Sequence, residues 1–340
     1  MRAAVRHAEL AMFGAEPCLL RRTPLWRMPG AALGVACREL WLKLEHLQVG
    51  GSFKARGMLW RLMASLLAAQ QIEVDPLGAE RGPPSTESGR HRLLEAGAVI
   101  ASGGNAGIAC AHAAAHLGMR CEVFVPEVSP QVKRDRLEAL GARVVVRGAR
   151  YVEALEACLA RQRESGALLV HAYDQPEVVV GAGTLALEIE AQGGCAPDYT
   201  LVSVGGGGLL AGLASTYGDR SCIVALEPER APTLARARAA GAPVDVEVGG
   251  VAVDSLGARR IGALAWAVSC ARVSDSLLLS DESIVQAQAA MWRELRLAVE
   301  PAAALPLAAL RCGIFRPPKD ARVCLIVCGA NLDPALLGNG

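Results

Sequence analysis

The chain has 340 residues, 52% of them hydrophobic, with 35 Lys plus Arg against 34 Asp plus Glu. That length gives one large domain or two modest ones with sizeable cores, and the apolar content excludes a disordered chain. The charge balance offers no footprint for nucleic acid or an anionic membrane, no apolar run is long enough to span a bilayer, and MRAAVRHAELAMFGAEP lacks the apolar core of a secretory signal.

The 11 cysteines are odd in number and scattered without CxxC spacing, which fits a reducing cytoplasm and buried thiols rather than disulfides or zinc. Arginine far outnumbers lysine, so few lysines are available for amine chemistry.

In chain order, ELWLKLE reads as a strand. SFKARGMLWRLMASLLAAQ reads as a helix that begins at or just after Lys54. GAVIASGG is a short apolar strand, and NAGIACAHAAAHLG a small-residue helix closed by Gly118. RCEVFVP, ARVVVRG and ALLVHAY are strands, separated by the helices SPQVKRDRLEALG and RYVEALEACLARQRESG. GAGTLALEIEAQGG is a helix, YTLVSVGGGG a strand entering a glycine loop, and LLAGLASTYG the next helix. SCIVALEP and ARVCLIVCGAN are the remaining strands. Such alternation specifies an α/β fold with mostly parallel sheets covered by helices, whose ligands bind at the carboxyl ends of strands. Residues 70–93, rich in Pro, Gly, Ser and charge, read as an exposed insertion.

Several strands end in glycine-rich or polar turns: GGSFK, SGGN, GGGGL and CGAN. Tight turns use glycine, and so does close approach of backbone to a ligand. SVGGGGLLAG at 203–212 runs from strand to helix and leaves backbone N–H groups uncovered at the positive end of the helix dipole. It reads as either a flexible turn or an anion site. It matches neither a dinucleotide nor a nucleoside-triphosphate fingerprint. A lysine on a strand-to-helix turn, together with an anion nest, points to pyridoxal phosphate, whose aldehyde condenses with an amine to a Schiff base.

The ordered set resembles the tryptophan-synthase-β-like, fold type II family of pyridoxal phosphate enzymes, and within it the serine/threonine dehydratases. The resemblance rests on KLEHLQVGGSFKARG (43–57), SGGNAGIACAHAAAHLGM (102–119), HAYDQPEVVVGAGT (171–184) and SVGGGGLLAG (203–212). ALEP (225–228), GVAVDSLGARRIG (250–262), EPAAA (300–304) and CLIVCGAN (324–331) follow in the family's order, over roughly the whole chain. It implies two open, twisted, mostly parallel-sheet domains with the cofactor in the cleft between them. The large, cofactor-binding domain comprises 1–47 plus 166–340. The small domain, with the substrate-carboxylate loop, comprises 48–165.

The resemblance assigns roles as follows. Lys54 carries the cofactor as a Schiff base and then removes the substrate Cα proton. Phe53 packs on the cofactor ring. Ser102, Gly103, Gly104, Asn105 and Ala106 bind the substrate carboxylate, and Asn105 also meets the ring oxygen. Gly205, Gly206, Gly207, Gly208 and Leu209 cradle the phosphate. Cys328 faces the pyridine nitrogen, although on residue type alone it reads equally as a core cysteine. A neutral thiol there makes the ring a weaker electron sink and favours prompt loss of a β-leaving group.

The sequence also departs from the family. Gly103 stands where racemising relatives carry a serine, which implies elimination without efficient racemisation. Ala182 stands where many relatives have Gln, and Gly249 where many have Asp. Glu227 and the Ala231 carbonyl match a family cation site, but Thr233 replaces an acidic ligand. No divalent metal is expected; a monovalent cation is left open. His46 reads as a loop residue, and Tyr173 as lining the substrate pocket.

The function implied is dehydration and deamination of L-serine, L-threonine or a related β-hydroxy amino acid to a 2-oxo acid and ammonia. The alternatives are β-replacement of the cysteine-synthase type and a catalytically degenerate cofactor-binding protein. The resemblance further implies a cytoplasmic homodimer acting on a small amino acid, with no nucleic-acid or membrane partner and no regulatory domain after CGAN.

Overall fold

The alternating apolar runs and helical periods build two sheets. The computed structural model describes residues 1–71 and 86–332. Among these are the strands β1 Leu25–Pro29, β2 Glu39–Lys43, β3 Ala98–Ala101, β4 Cys121–Val125, β5 Arg143–Val146, β6 Leu168–Leu169, β7 Tyr199–Ser203, β8 Cys222–Pro228, β9 Val273–Leu279 and β10 Arg322–Ile326. The chain divides into two compact units, Met1–Phe53 with Tyr173–Gly340, and Lys54–Ala172.

The first unit holds the six-stranded sheet, ordered β1-β2-β10-β7-β8-β9. β1 pairs antiparallel with β2, and the other neighbours are parallel. β10 lies between β2 and β7, and its Val-Cys-Leu-Ile run is buried throughout, as an interior parallel strand requires. β1 takes an edge and ends in Pro29, a residue that interior strands exclude. The helix Pro301–Arg311 carries PAAALPLAALR and buries nine consecutive positions from Ala302 to Leu310. A helix apolar all round belongs in the core, and this one packs on β7, β8, β9 and β10. Pro176 opens the helix Pro176–Gly193 at its first turn, where its missing N–H costs nothing.

A charged cluster lies inside this unit. Lys43 Nζ, fully buried, donates to Glu188 Oε1 at 2.6 Å, Thr23 O at 2.6 Å and Gln192 Oε1 at 2.8 Å. Three acceptors match the three ammonium protons. Thr23 Oγ1 donates to Glu45 Oε1 at 2.5 Å, which ties a second buried carboxylate to the cluster.

The second unit holds the four-stranded sheet β5-β4-β3-β6, all parallel. Its interior strand β3 is buried at every position, while the edge strand β5 is half-buried or exposed. The helix Lys54–Gln71 packs against the helix Asn105–His116. The run of Ala and Gly in the second of these lets the two axes approach closely.

Two sequence expectations change here. ALLVHAY pairs only over Leu168–Leu169, and that strand joins the four-stranded sheet; the chain passes between units after Phe53 and after Ala172, where the sequence reading had 47 and 165. The expected exposed insertion 70–93 includes the end of the helix Lys54–Gln71 and most of the helix Thr86–Ala96; residues 72–85 lie outside the described residues. The structure also adds elements that had no sequence assignment, including β1, β9 and the helices Arg2–Gly14, Ala263–Arg272 and Asp281–Leu295.

Candidate active site

In the first unit, the expected residues follow the carboxyl ends of parallel strands. β7 ends at Ser203 and leads into Gly205–Gly208, where the helix Gly208–Tyr217 starts. Gly207 caps that helix with φ +86°, a backbone conformation that side chains rarely adopt. A Cβ on Gly206 would overlap the Tyr173 ring, and one on Gly208 would meet Tyr173 O at 2.8 Å. Each carbonyl of the loop has a donor from elsewhere. Gly205 O accepts from Thr233 Oγ1 at 2.7 Å, Gly206 O from Gly262 N at 3.0 Å and Gly207 O from Ala211 N at 2.9 Å. The N–H groups of Gly206, Gly207, Gly208 and Leu209 have no acceptor among the described residues. Adjacent open donors at a helix N-terminus form a concavity for an anion.

Tyr173 and Asp174 hold this loop to a neighbouring helix. Tyr173 Oη donates to Arg260 O at 3.2 Å. Asp174 accepts from Ala263 N at 2.9 Å and Leu264 N at 3.0 Å, capping the helix Ala263–Arg272. The sequence reading gave Tyr173 to the substrate pocket; its ring lies against Gly206 of the anion loop.

β10 leads to Cys328, which is buried. Phe53 N donates to Cys328 O at 3.0 Å, and Ser52 bridges to Gly329. Phe53 and Cys328, expected at opposite ends of the sequence, are thereby joined. A Cβ on Gly329 would overlap the Glu300 carboxyl, which accounts for the glycine in CGAN.

In the second unit, Lys54 opens the helix Lys54–Gln71, and its Nζ donates to Ala172 O at 2.7 Å. β3 ends at Ala101, and Ser102–Gly104 form the turn into the helix Asn105–His116. Ser102, Gly103, Gly104, Asn105 and Ala106 thus form one continuous turn and helix start. Gly107, which sequence reasoning passed over, allows it: a Cβ there would overlap Ser102 O. A side chain on Gly103 would meet Val125 Cγ1 at 3.2 Å and Ser129 Oγ at 3.6 Å.

Glu227, next to last in β8 and fully buried, accepts from Leu234 N at 2.6 Å, Ala235 N at 2.8 Å, Thr233 Oγ1 at 3.1 Å and Ser276 Oγ at 3.1 Å. Burial still lifts its carboxyl above the usual range. Both oxygens serve the start of the helix Thr233–Ala240, and Ala231 O accepts from Thr233 N at 3.2 Å. Glu227 thereby caps the start of that helix. No group of three or more His, Cys, Asp or Glu among the described residues could hold a metal.

His46 is no ordinary loop residue. It is buried in a short 3-10 turn, Glu45–Leu47, and burial pulls its pKa from the usual 6.5 down to about 4. Ala182 is buried in the helix Pro176–Gly193, and Gly249 N donates to Arg230 O at 2.9 Å.

The family model for pyridoxal-phosphate-dependent enzymes matches residues 19–329. The chain belongs to this family. It is a dehydratase-like member: it is 31% identical over 299 residues to an L-threonine ammonia-lyase of Geobacter sulfurreducens, covering 86% of this chain and 67% of the relative. It is 30% identical over 322 residues to a beta-hydroxyaspartate dehydratase of Paracoccus denitrificans, covering 92% of each. The fold superposes on maize serine racemase with a TM-score of 0.84 at 27% identity, covering 99% of this chain and 95% of that one. The chain spans 49% to 67% of the length of the threonine ammonia-lyase and dehydratase relatives it matches. No helix among the described residues is long and apolar enough to cross a membrane.

The residues present suit the family's cofactor. The loop at Gly205–Leu209 offers open N–H donors to its phosphate, and glycine at 206 and 208 is demanded by Tyr173.

Proposed function

We propose that the protein is a pyridoxal-phosphate-dependent lyase that dehydrates and deaminates a β-hydroxy L-amino acid, releasing a 2-oxo acid and ammonia. The observation that carries this reading is the open N–H cradle after β7, in a chain whose Lys54 opens a helix directly after Phe53. The large portion, with the cradle and Cys328, holds the cofactor; the small portion, with Ser102–Ala106, takes the substrate carboxylate. When bound, pyridoxal phosphate supplies the electron sink that makes the amino acid Cα–H acidic.

This chain's residues do the rest. Gly206–Leu209 N–H groups bind the phosphate. Ser102–Ala106 hold the carboxylate so that the Cα–H bond faces Lys54. Lys54 Nζ takes the Cα proton and holds a proton for the departing β-hydroxyl. Cys328, buried just after β10, would lie toward the cofactor ring and offer it a thiol rather than a carboxylate partner, which would favour early departure of that hydroxyl. Gly103 carries no hydroxyl to act on the opposite face, so elimination outpaces racemisation.

The reading also carries two expectations from the family alone, a homodimer and a cytoplasmic location, and one from the departure at Thr233, no requirement for a divalent metal. The test is release of 2-oxo acid and ammonia from L-serine, L-threonine and β-hydroxyaspartate with added pyridoxal phosphate. D-serine and product from O-acetylserine plus sulfide are assayed alongside. Oxo acid well ahead of D-serine supports the proposal. Turnover only with sulfide would replace it by β-replacement. No turnover, despite cofactor binding, would replace it by a binding role.

A further inference from the structure

The cradle's donors are aimed by what lies behind them. A peptide unit is planar and trans, so its C=O and the following N–H point in opposite directions. Fixing Gly205 O therefore aims Gly206 N–H; fixing Gly206 O aims Gly207 N–H; fixing Gly207 O aims Gly208 N–H. Glycine gives these planes little resistance to rotation, so their orientation has to come from outside the loop. Two of the three anchors are backbone groups, Gly262 N and Ala211 N. The third is a side chain: Thr233 Oγ1, fully buried, 2.7 Å from Gly205 O.

Thr233 is itself set by Glu227. The Glu227 carboxyl takes Leu234 N at 2.6 Å and Ala235 N at 2.8 Å, which fixes the first turn of the helix Thr233–Ala240 and the backbone that carries the hydroxyl. The hydroxyl also lies 3.1 Å from Glu227 Oε1. Its single proton serves one acceptor at a time, and the Gly205 carbonyl is the nearer. Ser276 Oγ, 3.1 Å from Oε2, completes the carboxyl's partners. All these groups come from one unit: the loop after β7, the carboxyl-terminal part of β8, the middle of β9 and the helix after β8.

We propose that Thr233 and Glu227 are positioning residues for the anion cradle, with the Thr233 hydroxyl turning the Gly205–Gly206 peptide so that Gly206 N–H faces the phosphate of the cofactor without the help of a metal ion. This rests on the function proposed above. It adds that phosphate affinity is built into a buried hydroxyl that acts through the Gly205 carbonyl.

The consequence is specific to the phosphate. Losing one charge-assisted hydrogen bond to the phosphate weakens binding by about tenfold or somewhat more. Pyridoxal, which lacks the phosphate, does not use the cradle. The experiment titrates apo-protein with pyridoxal phosphate and, separately, with pyridoxal, following the visible absorption band, for wild type, Thr233→Val and Thr233→Ser. Expected are a roughly tenfold weaker affinity of Thr233→Val for pyridoxal phosphate, pyridoxal affinity within about twofold of wild type, and recovery in Thr233→Ser. Chelators leave the wild type unchanged.

Unaltered affinity in Thr233→Val overturns the proposal, as does equal loss of both ligands, which marks a general structural defect. Weakening of the wild type by a chelator, reversed by a divalent ion, overturns the metal-free part. If Thr233→Val does not fold, Thr233→Ala carries the same comparison. A wild type that binds neither ligand overturns the function proposed above and this inference with it; loss confined to Thr233→Val cannot arise that way.

Discussion

Lys54 Nζ donates to the carbonyl oxygen of Ala172 at 2.7 Å, joining the first residue of one helix to the last residue of the same unit. The contact holds the amine at the carboxyl-terminal side of a parallel sheet, where ligands of α/β folds bind. If Lys54 is the proton carrier, Lys54→Ala lowers turnover by about three orders of magnitude or more, as loss of a positioned acid–base group does. The variant's urea unfolding midpoint stays close to wild type. Comparable turnover in the variant would assign the proton transfer elsewhere.

Gly206 and Tyr173 form a second dependent pair. A methyl group on Gly206 overlaps the Tyr173 ring, so Gly206→Ala costs about 1–3 kcal/mol of stability and weakens cofactor binding. Removing the ring makes room. In a double-mutant cycle by chemical denaturation, Tyr173→Ala therefore reduces the cost of Gly206→Ala. Strict additivity would show that the ring is not what excludes the side chain.

The Lys43–Glu188 pair, with side chains 0% and 1% exposed, is beyond solvent screening. Lys43→Met removes the ammonium from the buried Glu188 carboxylate, and breaking a buried pair from one side costs about 3–5 kcal/mol. Urea denaturation reads this directly; a change under 1 kcal/mol would contradict the buried geometry.

Burial depresses the His46 pKa from 6.5 to about 4. The unfolded chain therefore binds a proton between those values that the folded chain does not, and stability rises with pH across that window. The His46 contribution is present above pH 6.5 and is lost as pH falls toward 4, amounting to roughly 3 kcal/mol at full shift. His46→Gln flattens the stability profile between pH 6.5 and 4 relative to wild type. Parallel profiles would show that the imidazole charges freely in the folded state.

Much of the fold was legible because parallel strands read as continuous apolar runs, as in Val-Cys-Leu-Ile of β10, and because glycine punctuates their ends. β1 and β9 were not: Leu-Trp-Arg-Met-Pro and Val-Ser-Asp-Ser-Leu-Leu-Leu carry polar residues that suit an edge and conceal the strand. The helix Thr86–Ala96 was hidden by Ser, Gly and charge in a low-hydropathy stretch. At the site, the glycine-rich turns GGSFK, SGGN and GGGGL were readable at strand ends from residue type, whereas the role of the Ser102–Ala106 turn came from the family resemblance. Thr233 and Asp174 act by holding other backbone groups, and Gly107 by leaving room for the Ser102 carbonyl. That role depends on which segments meet in space, and no local pattern announces it.

The central claim is that Lys54 is the amine that carries the cofactor. The most direct measurement is borohydride reduction of the protein with pyridoxal phosphate, followed by peptide mapping by mass spectrometry. The account predicts a pyridoxyl-phosphate adduct on the peptide containing Lys54, absent from Lys54→Ala. An adduct confined to another lysine, in a protein that releases 2-oxo acid, would contradict it.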